Sequence, residues 1–424
     1  MKLFINASLP TASAALKRVN LLFDETIVKI SADDIATEES PEIIDLKGKI
    51  LLPGGIDAHS HIIHDGEPAK SIAKVSKSAL AGGWTTLCEL SYFSPAPIFD
   101  FHDLERTIQR LNGTSHVDMA LWGNVDIGDY PYHAETAQEL WAKGVVGIAL
   151  LTPSPNPAIP DISFTEIMDL FMDIYESDTA FAFQGFDYEN HGSFDFASQL
   201  DGVKKILRRM QENPIHIPRV ASYPSIEFIN TISKRSDISF AMCIGDLMKV
   251  FGGIDPGSGL SADLEEHQEL LFELFRTNKI YMLSNSVSAA AAAPETTEAF
   301  LGTHHSLMRH SYLWVLSELW KNRKVPLATC IKMTSENAAK RLGLYPVKGA
   351  IEVGSDADFM IYDPEVNTTF KAPDGSKHEL TGSIDSVWLR GKEVFSDGKT
   401  APPSGKHISR HTNPKRRYNN TTWI

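Results

Sequence analysis

Hydrophobic and polar positions alternate in two different rhythms along this chain. Over the first fifty residues the apolar runs are short and rich in β-branched side chains. LFINAS (Leu3–Ser8), VNLLFDETIVKIS (Val19–Ser31) and EIIDLKGKILLPGG (Glu42–Gly55) are broken by Asp-Glu, Gly and Pro, a pattern that predicts strands and turns. From about Ser60 to Tyr345 short apolar runs alternate with longer stretches of helical period. The runs TTLCEL, DMALWGNV, GVVGIALL, FAFQGF, ISFAMCI and IYMLSNS predict strands. DLERTIQRLN (Asp103–Asn112), TAQELWAKG (Thr136–Gly144), FTEIMDLFMDIYES (Phe164–Ser177) and LEEHQELLFELFRTN (Leu264–Asn278) predict helices. After Tyr345 the strand rhythm returns in GAIEVGSDADFMIYDP and SIDSVWLRGKEVFSDGK.

Strands alternating with helices imply parallel βαβ units, and many in succession predict an α/β fold. A (β/α)8 TIM-like barrel accommodates them best, although the pattern alone also admits a doubly wound sheet. The strand-rich ends are most simply joined as a small composite β-sandwich domain, residues 1–52 with 347–400, into which the barrel, residues 53–346, is inserted. Residues 401–424 then form a basic C-terminal tail with five Lys or Arg and no acidic residue. That tail is expected either to fray or to lie on a neighbouring subunit, anchored by Tyr418 and Trp423.

Composition narrows the class without choosing an activity. With 42% hydrophobic residues over 424 positions there is ample material for a large core. The net charge of -14 argues against a nucleic-acid surface, so no nucleic-acid partner is expected. The three cysteines, Cys88, Cys243 and Cys330, lack metal or redox spacing and suit a reducing compartment. No apolar run is long enough to span a membrane, and the N-terminus lacks a sustained signal-like run. A cytoplasmic protein without a membrane partner is the expectation.

Candidate chemistry concentrates in LLPGGIDAHSHII, Leu51 to Ile63. His59 and His61 are two residues apart, so on a strand both imidazoles leave the same face and could share a metal ion. A bare His-x-His carries little weight, but this one follows an apolar strand, a Pro-Gly-Gly break and an Asp. The Pro53–His61 signature resembles that of the dihydroorotase, hydantoinase, dihydropyrimidinase and allantoinase branch of the amidohydrolase superfamily. The resemblance continues in AGGWTTLCELS (Ala81–Ser91) and in TSENAAKRLGLYPVKGAIEVGSDADFMIYDP (Thr334–Pro364), in the family's order. It implies a metal-dependent barrel with a composite β-sandwich, usually a dimer or tetramer.

The resemblance also implies a ligand set against which this sequence can be checked. Active members hold one or two divalent metals with the His pair, a carboxylated Lys, two further His and an Asp on the last barrel strand. The metals lower the pKa of a bound water and the Asp takes its proton. Here GVVGIALL places Ala149 where the Lys belongs. FAFQGFDYEN offers Gln184 or Asp187 for the next His, and ISFAMCIGD offers Met242 or Cys243 for the one after. The final strand carries Asn285 and Ser286 instead of the Asp and His, and Ile63 replaces the Arg of dihydroorotases. An amide cannot act as a carboxylate base, and a methyl group cannot bridge cations. A third ligand to complete a single site, such as one zinc, would have to come from His64, Asp65 or the His304, His305, His310 group, for which solvated or capping roles are the plainer reading.

Three functions follow from this pattern. The first is a catalytically impaired or inactive assembly or regulatory homologue, forming a homo-oligomer or pairing with an active relative. The second is an active metal-dependent hydrolase of a cyclic amide, imide or ureide with a reduced, mononuclear site. The third is a small-molecule-binding barrel with Gln184, Asn285 and Ser286 lining the old pocket.

Overall fold

The computed structural model describes residues 1–11, 15–37, 40–63, 67–91, 97–126, 128, 132–150, 163, 166–167, 181–183, 185–191, 195–209, 214–233, 237–254, 262–285, 307–372 and 375–410. Five strands open the chain: β1 (Lys2–Pro10), β2 (Leu16–Phe23), β3 (Ile27–Ser31), β4 (Glu42–Asp45) and β5 (Ile50–Pro53). The central region supplies β6 (Gly55–Ser60), β7 (Trp84–Glu89), β8 (Asp118–Leu121), β9 (Gly123–Asn124), β10 (Ile148–Leu150), β11 (Phe181–Phe183), β12 (Ile215–Ile217), β13 (Ile238–Cys243) and β14 (Met282–Ser284). Six more close it: β15 (Phe359–Asp363), β16 (Thr368–Lys371), β17 (Lys377–Leu380), β18 (Ser383–Leu389), β19 (Lys392–Ser396) and β20 (Lys399–Thr400).

The chain ends meet in one nine-stranded sheet, ordered β20-β19-β18-β15-β5-β1-β2-β3 with β4 beside β1. The join is the antiparallel pairing of β5 with β15, in which Leu51 lies opposite Ile361 and Pro53 opposite Phe359. Inward alternation on these strands buries Phe4, Phe23, Phe359 and Trp388 together. Their rings meet at centroid distances of 4.6 to 5.8 Å, mostly edge to face. Such pairs each add about 0.5–1.5 kcal/mol beyond the area they bury. Strands from opposite ends of the sequence are thus held by one aromatic cluster.

Between the ends, β6 to β14 pair only in parallel. They form a three-stranded sheet, β6-β7-β8, and a six-stranded one, β9 to β14. β8 and β9 are separated by Trp122 alone, so they act as one interrupted strand. β14 in turn packs against β6, which returns the series to its start and gives eight strands among the described residues. The helices between strands carry ordinary start signals. Asp100 accepts the Asp103 N–H ahead of helix Phe101–Leu111, and Ser222 accepts the Ser225 N–H ahead of helix Tyr223–Ile232. The helix expected over Leu264–Asn278 is two pieces, Ala262–Glu266 and Gln268–Arg276, and the one expected over Phe164–Ser177 lies almost wholly outside the described residues.

The start of the C-terminal tail does not leave the molecule. Residues 401–410 run back along the barrel base. Met119 N–H donates to Lys406 O at 2.8 Å, Ile408 N–H to Met119 O at 2.8 Å and Gly405 N–H to Ser115 O at 2.9 Å. At Gly405 the approach is so close that a Cβ would lie 1.9 Å from Val117 O. The expectation of a tail that frays or reaches a neighbour from residue 401 is therefore corrected for 401–410. Tyr418 and Trp423 lie outside the described residues. No helix among the described residues is long and apolar enough to cross a membrane.

Candidate functional site

The Pro-Gly-Gly break ahead of the histidines has a packing reason. A Cβ on Gly54 would meet Thr85 Oγ1 at 2.1 Å, and one on Gly55 would meet the Trp84 ring at 2.6 Å. Glycine here lets β6 lie close beside β7, which fixes where Asp57, His59 and His61 emerge. All three are buried.

His59 does not stand beside His61 as an isolated pair of lone pairs. Its ring stacks on His216, with centroids 4.5 Å apart and planes 19° from parallel, and the two Nε2 atoms are in direct hydrogen-bonding contact. A contact of that kind needs one proton between two neutral rings. His216 is held from behind: its Nδ1 lies 2.7 Å from Ser239 Oγ, which donates to Ile215 O at 3.4 Å. Trp122 caps the stack, 6.1 Å from the His216 ring, and donates Nε1–H to Ala58 O at 2.9 Å.

His216 overturns part of the sequence reading. Its strand, β12, is three residues long and sits between β11 and β13, so the strand after FAFQGF is IHI, not ISFAMCI. The middle strands therefore do carry a histidine. Register aligns Asn124, Ala149, Ala182, His216 and Ser239 as one row across β9 to β13. Ala149, at the expected lysine position, lies in the same buried cluster as Ala182 and the Trp122 indole. Small side chains in this row leave room for one large ring.

Two residues past the end of β12 stands Arg219. Its Nη2 donates to both oxygens of Asp246, at 2.8 and 2.9 Å, and both side chains are buried. Arg219 is close enough to His61 to disfavour a charge there. Burial is the larger cause, and together they push His61 down to about 4. Burial likewise holds His59 and His216 well below the ordinary histidine range, reinforced by their neighbouring imidazoles. His61 also gives its Nδ1–H to Leu90 O at 2.7 Å.

Two buried carboxyls complete the mouth. Asp57 accepts the His59 and Asn285 backbone N–H groups, each at 3.2 Å, and burial pushes it up to about 7. Glu89 accepts the Ile62 N–H at 2.8 Å and the Ile63 N–H at 3.4 Å, and burial pushes it up to about 8. Both act as braces for the backbone around the histidines. Asn285 is buried just beyond β14, beside Asp57.

The remaining candidates divide plainly. Gln184, Ser286, His64, Asp65, His304 and His305 lie outside the described residues. His310 packs its ring on Phe370 at 4.5 Å. Asp187 is taken up by Lys205 at 2.5 Å and by Asn190. Met242 and Cys243 are buried on β13, and Ile63 on the segment after His61.

These residues do not fit a divalent metal. The Nε2 atoms of His59 and His216 face one another directly, and His61 spends its Nδ1 on Leu90 O. Asp57 and Glu89 spend oxygens on backbone N–H groups, Ala149 offers a methyl, and Arg219 places a fixed cation nearby. Among the described residues no three His, Cys, Asp or Glu side chains converge as a cation cage.

Comparison with known proteins agrees with the fold. The amidohydrolase family model matches residues 292–395. An allantoinase of Rubrobacter xylanophilus is 22% identical, over 89% of this chain and 92% of its own. An L-hydantoinase of Paenarthrobacter aurescens is 24% identical, over 91% and 92%. The solved L-hydantoinase (dihydropyrimidinase) of Arthrobacter aurescens superposes with a TM-score of 0.78 at 19% identity, over 96% of this chain and 99% of that one.

Proposed function

We propose that this chain, which is similar to allantoinases, hydantoinases and dihydroorotases of the amidohydrolase superfamily, is a non-hydrolytic member of that branch acting in assembly or regulation. The observation that carries this reading is the His59–His216 contact beside the Arg219–Asp246 pair. Where the chemistry of this branch would need lone pairs converging on a cation, this chain has two imidazoles stacked on each other and an ion pair. Ala149 and Asn285 supply neither a bridge nor a base.

The mouth of the barrel then works as a fixed scaffold. Asp57 ties the end of β6 to the residue after β14, and Glu89 ties the end of β7 to the segment after His61. The working surface is the outside of the body: a composite β-sandwich of residues 1–52 and 347–400 carrying a barrel of residues 53–346, assembled as a dimer or tetramer or with an active homologue. Three buried free thiols, Cys88, Cys243 and Cys330, support a reducing, cytoplasmic setting.

A second reading has one observation in its favour. His216 raises the imidazoles near the mouth from two to three, which a mononuclear hydrolase could use if the stack opened. Turnover of allantoin, hydantoin, dihydrouracil and dihydroorotate separates the two. The scaffold reading expects no hydrolysis above a His59→Ala/His61→Ala double variant. Hydrolysis of any one substrate that disappears in the double variant overturns it.

A further inference from the structure

Away from the histidines, at the opposite ends of the strands, the barrel wall holds a cavity of about 310 Å³. That is within the range of small-molecule sites, about 300–1,000 Å³. Its floor is apolar, made by the buried side chains Ile229, Ile238, Phe240 and Ile280. Its walls carry Lys279, Lys332 and Lys340 against a single carboxylate, Glu336. Three lysines less one glutamate leave a local charge of +2 on a chain of net -14. Glu336 is engaged by Lys340 at 2.5 Å, whereas Lys279 and Lys332 have no ion-pair partner among the described residues. Two uncompensated cations on an acidic body attract an anion to this place.

The wall is also built in an unusual way. Lys332 and Glu336 bound a π-helical turn, Lys332–Glu336, set between two α-helical segments. Such wide turns are rare and concentrate at functional sites. This one is followed by Asn337, which donates Nδ2–H to Tyr281 O at 2.6 Å and so is anchored to the residue before β14.

We propose that this cavity binds a small organic anion, with its anionic group held between Lys279 and Lys332. The site is independent of the mouth and of the function proposed for it.

Binding of 8-anilinonaphthalene-1-sulfonate to the full chain, followed by fluorescence, tests the assignment. Saturable binding of one molecule per chain is expected, displaced by benzoate but not by its neutral analogue benzyl alcohol. Lys279→Glu with Lys332→Glu turns the local charge from +2 to -2 and should weaken binding at least about tenfold. Ser233→Trp, which fills the exposed rim without changing charge, should abolish it. Circular dichroism confirms that each variant is folded. Should the charge reversal unfold the chain, Ser233→Trp decides alone. Wild-type affinity in either folded variant, or equal displacement by benzyl alcohol, overturns the proposal.

Discussion

Base and mouth of the barrel both bury ionisable groups, yet they treat charge in opposite ways. At the base, Lys348 Nζ reaches Asp118 at 2.7 Å, Asp358 at 2.6 Å and Asp356 at 2.9 Å, and Arg390 joins on Asp118. Burial alone would raise Asp118, but Lys348 and Arg390 hold it below the ordinary carboxylate value. Burial would lower Lys348, and the three aspartates raise it instead. At the mouth no such countercharge faces Asp57 or Glu89 among the described residues, and burial drives both upward while driving the imidazoles down. Pairing at the base holds Asp118 and Lys348 in their charged forms although burial still lifts Asp358, and the mouth sheds its charges apart from the Arg219–Asp246 pair. An ionised water held by cations belongs to the first kind of environment, and the histidines sit in the second.

Breaking the base should have the largest effect. Asp118→Ala leaves Arg390 without its carboxylate and takes one of three from Lys348, and loss of one partner of a buried pair costs about 3–5 kcal/mol. Urea unfolding should show a lowered midpoint with an unchanged slope, or no folded protein. At the mouth, Asp246→Ala strands only Arg219 and should cost about 3 kcal/mol. The double variant Arg219→Met/Asp246→Leu should recover most of that loss, because a well-packed apolar pair commonly replaces a buried ion pair without penalty. Failure of the double variant to recover would mean that the pair has a further partner. His216→Ala removes one ring of the stack and should cost about 2 kcal/mol through the lost contact and the cavity.

The pH response should separate the ends most finely. Asp118, lowered in the fold, contributes stability above its unfolded value of 3.8 that is lost as pH falls through the folded one. Asp57 and Glu89 are raised, so the fold binds more protons than the unfolded chain between 3.8 and about 7 for Asp57 and between 4.5 and about 8 for Glu89. Their contribution is full in acid and fades as pH rises through those windows. Amide protection, measured against the intrinsic exchange rate at each pH, should therefore fall in β8 below pH 4, and in β6 and β7 between pH 5 and 8. The same trend in both places would collapse the distinction.

Much of this was legible in the residues. The His-x-His strand, Ala149 and Asn285 declare themselves by position within runs of clear period, and the two strand-rich ends do meet in one sheet. β12 was not legible, because Pro214 and Pro218 bracket a three-residue strand too short to show a period. The one available signal was Ile215-His216-Ile217, a polar side chain between two apolar ones. The Arg219–Asp246 and Lys348–Asp118 pairs could not be read, since their members are 27 and 230 residues apart and only closure of the strands brings them together.

The central claim concerns what the mouth offers a cation. Zinc titration of the chelator-treated protein against a chromogenic competitor at neutral pH addresses it directly. The wild type should show no stoichiometric site, with His59→Ala and His216→Ala indistinguishable from it. One zinc or more per chain, lost in His59→Ala, would contradict the account.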